Sequence, residues 1–255
     1  MRSTPKKLVA RSLRVAAQLI IKKFEPGIIG VTGSVGKTST KLAITAVLRG
    51  TRRVRVSPDS HNNEFGLPLT IIGEWSKRDL HLVSREAPPG IAIFRKIFFW
   101  TKVFVRAGYV LVFLPRSKYP ETLILEYGAD RPGDLKYLIE IARPTISVVT
   151  AIGEIPVHVE FYNGPEAVAR EKGKLVEHLG SNDFAILNAD DDMVMGLEER
   201  TRARVLTFGF SEDAAVRVTN FEYREKDGKP IGISFKLQYG GSFVPVRIDG
   251  AYGKG

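Results

Sequence analysis

Residues 30–40 read GVTGSVGKTST, a glycine-punctuated stretch between an apolar run and a helical pattern. The common phosphate-loop pattern, G-x-x-x-x-G-K-[ST], requires a glycine at position 31, where this chain has Val31. The rest of the physics is intact. The loop follows a strand-like segment, contains Gly33, Ser34 and Gly36, and delivers Lys37, Thr38 and Ser39 at the start of a helix. There, free backbone N–H groups and the helix dipole favour a phosphate. Lys37 is placed to neutralise β and γ oxygens of a nucleotide, and the Thr38 hydroxyl to hold Mg²⁺. The bland alternative is a tight strand-to-helix turn with a solvated lysine.

Outward from the loop, strand and helix patterns alternate. Apolar runs at 27–33, 54–57, 123–127, 146–151, 184–187 and 205–208 are separated by helical periodicity at 36–49, 133–142 and 164–179. That alternation predicts an α/β fold, a mostly parallel sheet covered by helices on both faces. From 216 to 248 the periodicity switches to two, with turn signals at Asp227-Gly228 and Gly240-Gly241. This predicts a small antiparallel β-hairpin unit at about 215–250.

The bulk properties restrict the class. A chain of 255 residues, 44% hydrophobic, can bury a real core. The absence of cysteine excludes disulfides, thiolate metal sites and a thiol nucleophile. With no secretory signal in view, the chain reads as intracellular and cytoplasmic. The formal charge of +10 is concentrated in two stretches. Residues 1–24 carry seven basic side chains and residues 87–120 carry six, neither with an acid, and the remainder holds 25 basic against 28 acidic residues. The body of the protein is therefore not a nucleic-acid surface.

The two basic stretches share a second property. Residues 5–24, within an N-terminal segment 1–26, form a basic amphipathic helix pattern with Leu8, Leu13, Ala16, Ala17, Ile20 and Phe24 at helical spacing. Residues 91–118 are apolar, aromatic and basic, but Lys102 and Arg106 interrupt any membrane span. Either both elements contact an anionic membrane surface peripherally, or they pack on each other or on another domain.

Four further segments give the loop its context: HNNEFGLPLTI at 61–71, LILEYGADRPGDL at 123–135, GEIPVHVEFYNGPEAVAREKGKLVEHL at 153–179, and ILNADDD at 186–192. With TGSVGKT at 32–38, they resemble the Mur ligase family, ATP-dependent amide ligases of peptidoglycan precursor synthesis, and most of all its D-alanyl-D-alanine-adding branch. The shorter T-G-x-x-G-K-T loop of that family explains Val31. The resemblance covers 27–255 and implies a central ATP-binding domain that uses ATP and Mg²⁺. It also implies the chemistry: a substrate carboxylate is phosphorylated to an acyl phosphate, and the amine of an incoming amino acid or dipeptide displaces phosphate. The partners implied are the cell-wall precursor acid and that amine.

Site residues follow from the resemblance position by position. Lys37 and Thr38 take the triphosphate and the first Mg²⁺, and Glu126, at a strand end, is a second magnesium ligand. His158 matches the histidine of a second metal, with two extra residues between it and Gly153-Glu154. Lys172 matches a lysine that is carbamylated in many members, which would make it a metal ligand, although Lys174 stands where the family has glutamate. Asn188 and Asp190 match the nucleotide-contacting segment, and Asn62 and Asn63 line the phosphate or substrate side, with the choice between them open. The UDP-binding and C-terminal domains of the family are not visible in 1–255. The expectation is an isolated central domain, either a ligase fragment or a nucleotide-binding module without ligation of its own. Folate-polyglutamate and cyanophycin types of ligase share the phosphate loop, but the G-E, His and K-G spacing speaks against them.

Overall fold

The computed structural model describes residues 4–58, 62–81, 93–153 and 161–250. It divides into two compact units: Met1–Val31 with Lys37–Thr145, and Thr32–Gly36 with Ile146–Gly255.

The first unit contains α1 (Thr4–Phe24), β1 (Gly27–Thr32, whose last residue opens the second unit), α2 (Lys37–Leu48), β2 (Val54–Val56), α3 (Gly66–Ile72), α4 (Lys77–His81), α5 (Ile93–Val112), β3 (Thr122–Glu126) and α6 (Asp134–Ile141). β3 lies between β1 and β2 and is parallel to both, with Val31 opposite Glu126. All five residues of β3 are buried, which is why TLILE reads as an unbroken apolar run ending in one carboxylate. Helix α3 is not anticipated by its sequence. GLPLTII is a poor helix former, but all seven residues are buried and Asn63 caps the entry, its Oδ1 accepting from the amides of Phe65 and Gly66 at 3.1 and 3.0 Å.

The basic amphipathic pattern at the N-terminus becomes α1, which buries Leu13, Ala17 and Ile20 and packs against α3, α5 and α6. The apolar basic stretch becomes α5, held by Lys23 of α1. The Lys23 ammonium donates to the carbonyls of Val110, Leu111 and Leu114 at 3.1, 3.0 and 3.0 Å, satisfying acceptors that a helix C-terminus leaves open. The inner faces of the two basic elements thus pack together. Among the described residues no helix is long and apolar enough to cross a membrane.

Tyr119 ties several of these elements together. Its ring stacks on Phe24 at 4.2 Å and carries the Arg55 guanidinium 5.0 Å away, and its hydroxyl donates to the Ile71 carbonyl at 2.7 Å. Burial pushes the phenol pKa up to about 12. The folded state then holds a proton that the unfolded state releases at about pH 10. The stabilisation is complete below pH 10 and is lost as pH rises through about 12, a loss of roughly 2–3 kcal/mol. Denaturation midpoints measured across that window should decline less steeply in Tyr119→Phe; the Ile71 carbonyl keeps the Arg55 donor at 2.8 Å in that variant.

The second unit contains β4 (Ile146–Val149), α7 (Pro165–Glu177), β5 (Phe184–Asn188), α8 (Asp192–Met195), β6 (Arg204–Gly209), β7 (Val216–Lys226), β8 (Lys229–Tyr239) and β9 (Ser242–Asp249). Strands β4 to β7 pair in chain order and parallel, over a core that includes Val149, Val168, Val176, Leu187 and Val194. The antiparallel segment is a three-stranded meander, longer than a single hairpin, and β7 joins it to the parallel strands through Phe208 and Val216. Its two turns have positive φ at both central residues, Asp227-Gly228 (53° and 71°) and Gly240-Gly241 (54° and 80°), the geometry those dipeptides favour.

Candidate functional site

In the first unit the site is built around one carboxylate. Glu126 ends β3 with an exposure of only 1%, and its backbone N–H donates to Ser57 Oγ at 3.2 Å. Three side chains converge on it. Thr38 Oγ1 donates to Oε2 at 3.2 Å, Lys41 Nζ donates to the same oxygen at 3.0 Å, and Asn62 Nδ2 donates to Oε1 at 3.1 Å. Thr38 and Lys41 lie on one face of α2 because they are three residues apart. Asn62 is brought in by close backbone contact: its carbonyl accepts from the Gly128 N–H at 3.0 Å, and a Cβ at Gly128 would lie 2.6 Å from the Asn62 side chain.

Lys37, the first residue of α2, is partly buried, and burial lowers its pKa; Glu126 and Asp130 oppose that shift. A partly dehydrated ammonium is a strong partner for an incoming anion. Ser39, two positions further along α2, is exposed. The two asparagines divide their work, Asn62 orienting Glu126 and Asn63 capping α3.

In the second unit the loop Thr32–Gly36 is fixed by its carbonyls. Thr150 Oγ1 lies 3.2 Å from the Thr32 carbonyl and 2.6 Å from that of Val35, and Lys172 Nζ donates to the Gly33 carbonyl at 2.9 Å. Fixing the Val35 carbonyl turns the Gly36 N–H the opposite way across the planar peptide. Gly33 has φ +149°, and a Cβ there would lie 2.0 Å from Thr150 Oγ1, so only glycine fits. Lys172 is 3% exposed on α7, whereas Lys174 is paired with Glu171. The departure from the family pattern at 174 is thus absorbed locally.

At the end of β5, Asn188 Oδ1 accepts from the Asp190 N–H at 3.0 Å. The Asp190 carboxylate accepts from the amides of Phe210 and Ser211, and Asp191 caps α8 while accepting from the amides of Ile152 and Gly153. These aspartates therefore set loop shape, and Asn188 is the member of the segment with an amide to offer. His158 lies outside the described residues, as does Glu154.

Three participants were not read from the sequence: Lys41, Ser57 and Thr150. Lys41 carried a usable signal, standing one turn beyond Lys37 in KTSTK, although a lysine on a short helix ordinarily reads as solvated. For Mg²⁺ the oxygen donors fit in kind, since Thr38 Oγ1 and Glu126 Oε2 are hard ligands 3.2 Å apart, whereas the Lys41 ammonium at the same Glu126 oxygen opposes a second cation there. Among the described residues no group of three or more His, Cys, Asp or Glu is placed to hold a metal ion, so such an ion would rely on a ligand or water for its remaining contacts.

Residues 110–250 match the Mur ligase middle domain. The chain is 32% identical over 192 residues to the UDP-N-acetylmuramoyl-tripeptide–D-alanyl-D-alanine ligase of Mycobacterium leprae, covering 75% of this chain and 28% of that one. It is 25% identical over 250 residues to the ligase of the same name from Rickettsia prowazekii, covering 94% and 44%. Among solved structures, MurF ligase from Thermotoga maritima in complex with ADP superposes with a TM-score of 0.70 at 25% identity, covering 95% of this chain and 45% of that chain. The chain thus spans less than half the length of each.

Proposed function

Because the chain belongs to the Mur ligase family through its middle domain, we propose that it is the ATP-binding part of an ATP-dependent amide ligase of peptidoglycan precursor synthesis, acting in the cytoplasm. The observation that carries this reading is the convergence of Thr38, Lys41 and Asn62 on buried Glu126, beside the partly dehydrated Lys37. The names of the relatives supply the substrates, a UDP-N-acetylmuramoyl tripeptide as acid and D-alanyl-D-alanine as amine.

The chemistry joins two anions, a carboxylate and the γ-phosphate of ATP. The carboxylate oxygen attacks the γ-phosphorus, the bond to the bridging oxygen breaks, and ADP leaves with that electron pair. The dipeptide amine then attacks the acyl carbon, expels phosphate and loses a proton, giving the amide. This chain's residues bind and orient. The first turn of α2 would receive the triphosphate, with the Lys37 ammonium neutralising oxygens at the bond that breaks. Thr38 and Glu126 would hold Mg²⁺, which when bound screens the phosphate charge. Asn62 keeps the Glu126 carboxylate in orientation. Lys172 in its amine form anchors the loop at Gly33; a carbamate there would exchange this hydrogen-bond donor for an anion, and His158 would serve the second metal.

ATP labelled with ¹⁸O in the β–γ bridge tests the acyl phosphate. With the tripeptide acid present and the dipeptide withheld, label should scramble into the non-bridging β positions, and Glu126→Gln should slow this by at least roughly tenfold. Absence of scrambling in the wild-type chain, with both ATP and the tripeptide acid bound, would overturn the ligase reading.

A further inference from the structure

The outer face of α5 is not used by the nucleotide site. Phe99, Val103, Ala107 and Val110 turn inward and are buried. On the opposite side Phe94, Phe98, Val105 and Val112 recur at intervals of four and seven, one stripe of the helix, with exposures of 82, 74, 67 and 69%. Ile97 and Phe104 widen the stripe, and only Thr101 and Gly108 interrupt it. An apolar surface of this extent on an otherwise charged chain is not ordinary surface composition.

Cations border it. Arg95, Lys102 and Arg106 lie about a quarter turn from the stripe, where long stems can follow apolar surface while their charged ends reach polar surroundings. Each ring on this border carries a cation, Lys102 5.9 Å from the Trp75 centroid and Arg106 5.4 Å from that of Tyr109. Asp79 accepts from Lys102 at 2.8 Å, yet residues 87–120 contain no acid. The helix is fixed at its C-terminal end by Lys23, so the stripe is presented by an anchored element.

We propose that this face docks the protein on an anionic phospholipid surface, with the helix lying in the interface, the phenylalanines in the acyl boundary and the cations among the lipid phosphates. An apolar stripe edged by bases and aromatic rings matches that boundary in both polarity and charge. A second copy packed antiparallel on the same face, by a two-fold axis across the helix, would bring the border cations against their own equivalents. Anionic headgroups neutralise them. The proposal is independent of the ligase reading, because it uses none of the nucleotide-site residues.

Flotation of the full chain with vesicles tests it. The chain should float with phosphatidylcholine vesicles containing phosphatidylglycerol, much less with phosphatidylcholine alone, and less as salt is raised. Phe94→Asp with Phe98→Asp should reduce partitioning by at least roughly tenfold, and Arg95→Glu with Arg106→Glu should do the same on anionic vesicles only. All four side chains are exposed, so unchanged thermal unfolding of both variants verifies the fold. No flotation with anionic vesicles, or flotation undiminished by the paired phenylalanine substitutions, would overturn the proposal. So would a dimer in sedimentation that those substitutions dissolve, which would give the face to a second copy.

Discussion

Lys37→Ala should weaken Mg²⁺–ATP binding by roughly two orders of magnitude, measured by isothermal titration of the whole chain. Charge-assisted hydrogen bonds contribute about 1.5–3 kcal/mol each, so losing even one or two from an ammonium to phosphate oxygens reaches about 2.7 kcal/mol, a hundredfold in Kd. The environment supports the upper part of that range. Burial lowers the Lys37 pKa, against the raising effects of Glu126 and Asp130, so the ammonium is less well solvated than an ordinary lysine. Two pH effects follow. The folded state binds this proton less tightly than the unfolded state, so Lys37 opposes folding below its folded pKa, and the penalty disappears as pH rises past the unfolded value. ATP affinity, which needs the protonated form, should decline on the alkaline side earlier than an unperturbed lysine predicts, and that limb should be missing in Lys37→Ala. Equal affinity in wild type and variant would remove the phosphate-loop assignment.

Much of the fold is legible because its signals are local. The apolar run of β3, the Asp-Gly and Gly-Gly turns of the meander and the periodicity of α6 and α7 each sit within a dozen residues. Helix α3 is the counterexample. Its glycine, proline and β-branched residues oppose a helix, and it forms because complete burial and the Asn63 cap outweigh propensity. The site divides in the same way. Lys37 and Thr38 are legible from loop spacing, whereas choosing between neighbours requires tertiary contacts. Asn62 meets Glu126 while Asn63 turns to its own helix, and Lys172 reaches Gly33 while Lys174 pairs with Glu171. Lys41 shows the limit most clearly. Its partner Glu126 is 85 positions away, and the helical spacing from Lys37 in KTSTK, the one local signal, does not separate a buried ammonium from a solvated one.

That buried pair supports the prediction with the largest effect on stability. Lys41 and Glu126 are each 1% exposed and lie 3.0 Å apart. Lys41→Met removes the cation and leaves Glu126 with the neutral donors Thr38 and Asn62, so a charge stays buried without its counter-ion. Removing one member of such a pair typically costs about 3–5 kcal/mol. Glu126→Leu alone should cost a similar amount by stranding the ammonium. Together the two substitutions place apolar groups against each other, and the desolvation penalty of both ions disappears with them. The double variant should therefore be far more stable than the sum of the single losses predicts, recovering at least roughly 2 kcal/mol in a double-mutant cycle. Both tryptophans, Trp75 and Trp100, belong to the first unit, so urea unfolding followed by their fluorescence reports the unit that holds the pair. Additive losses would mean that the two groups are not coupled. The cycle also separates stability from function, because the double variant should fold yet fail to bind Mg²⁺–ATP tightly, having lost the carboxylate opposite Thr38. The pair thus reads as an electrostatic reserve: Lys41 gives a buried carboxylate its counter-ion 3.0 Å away, at a cost in stability that an apolar core at the same place would not carry.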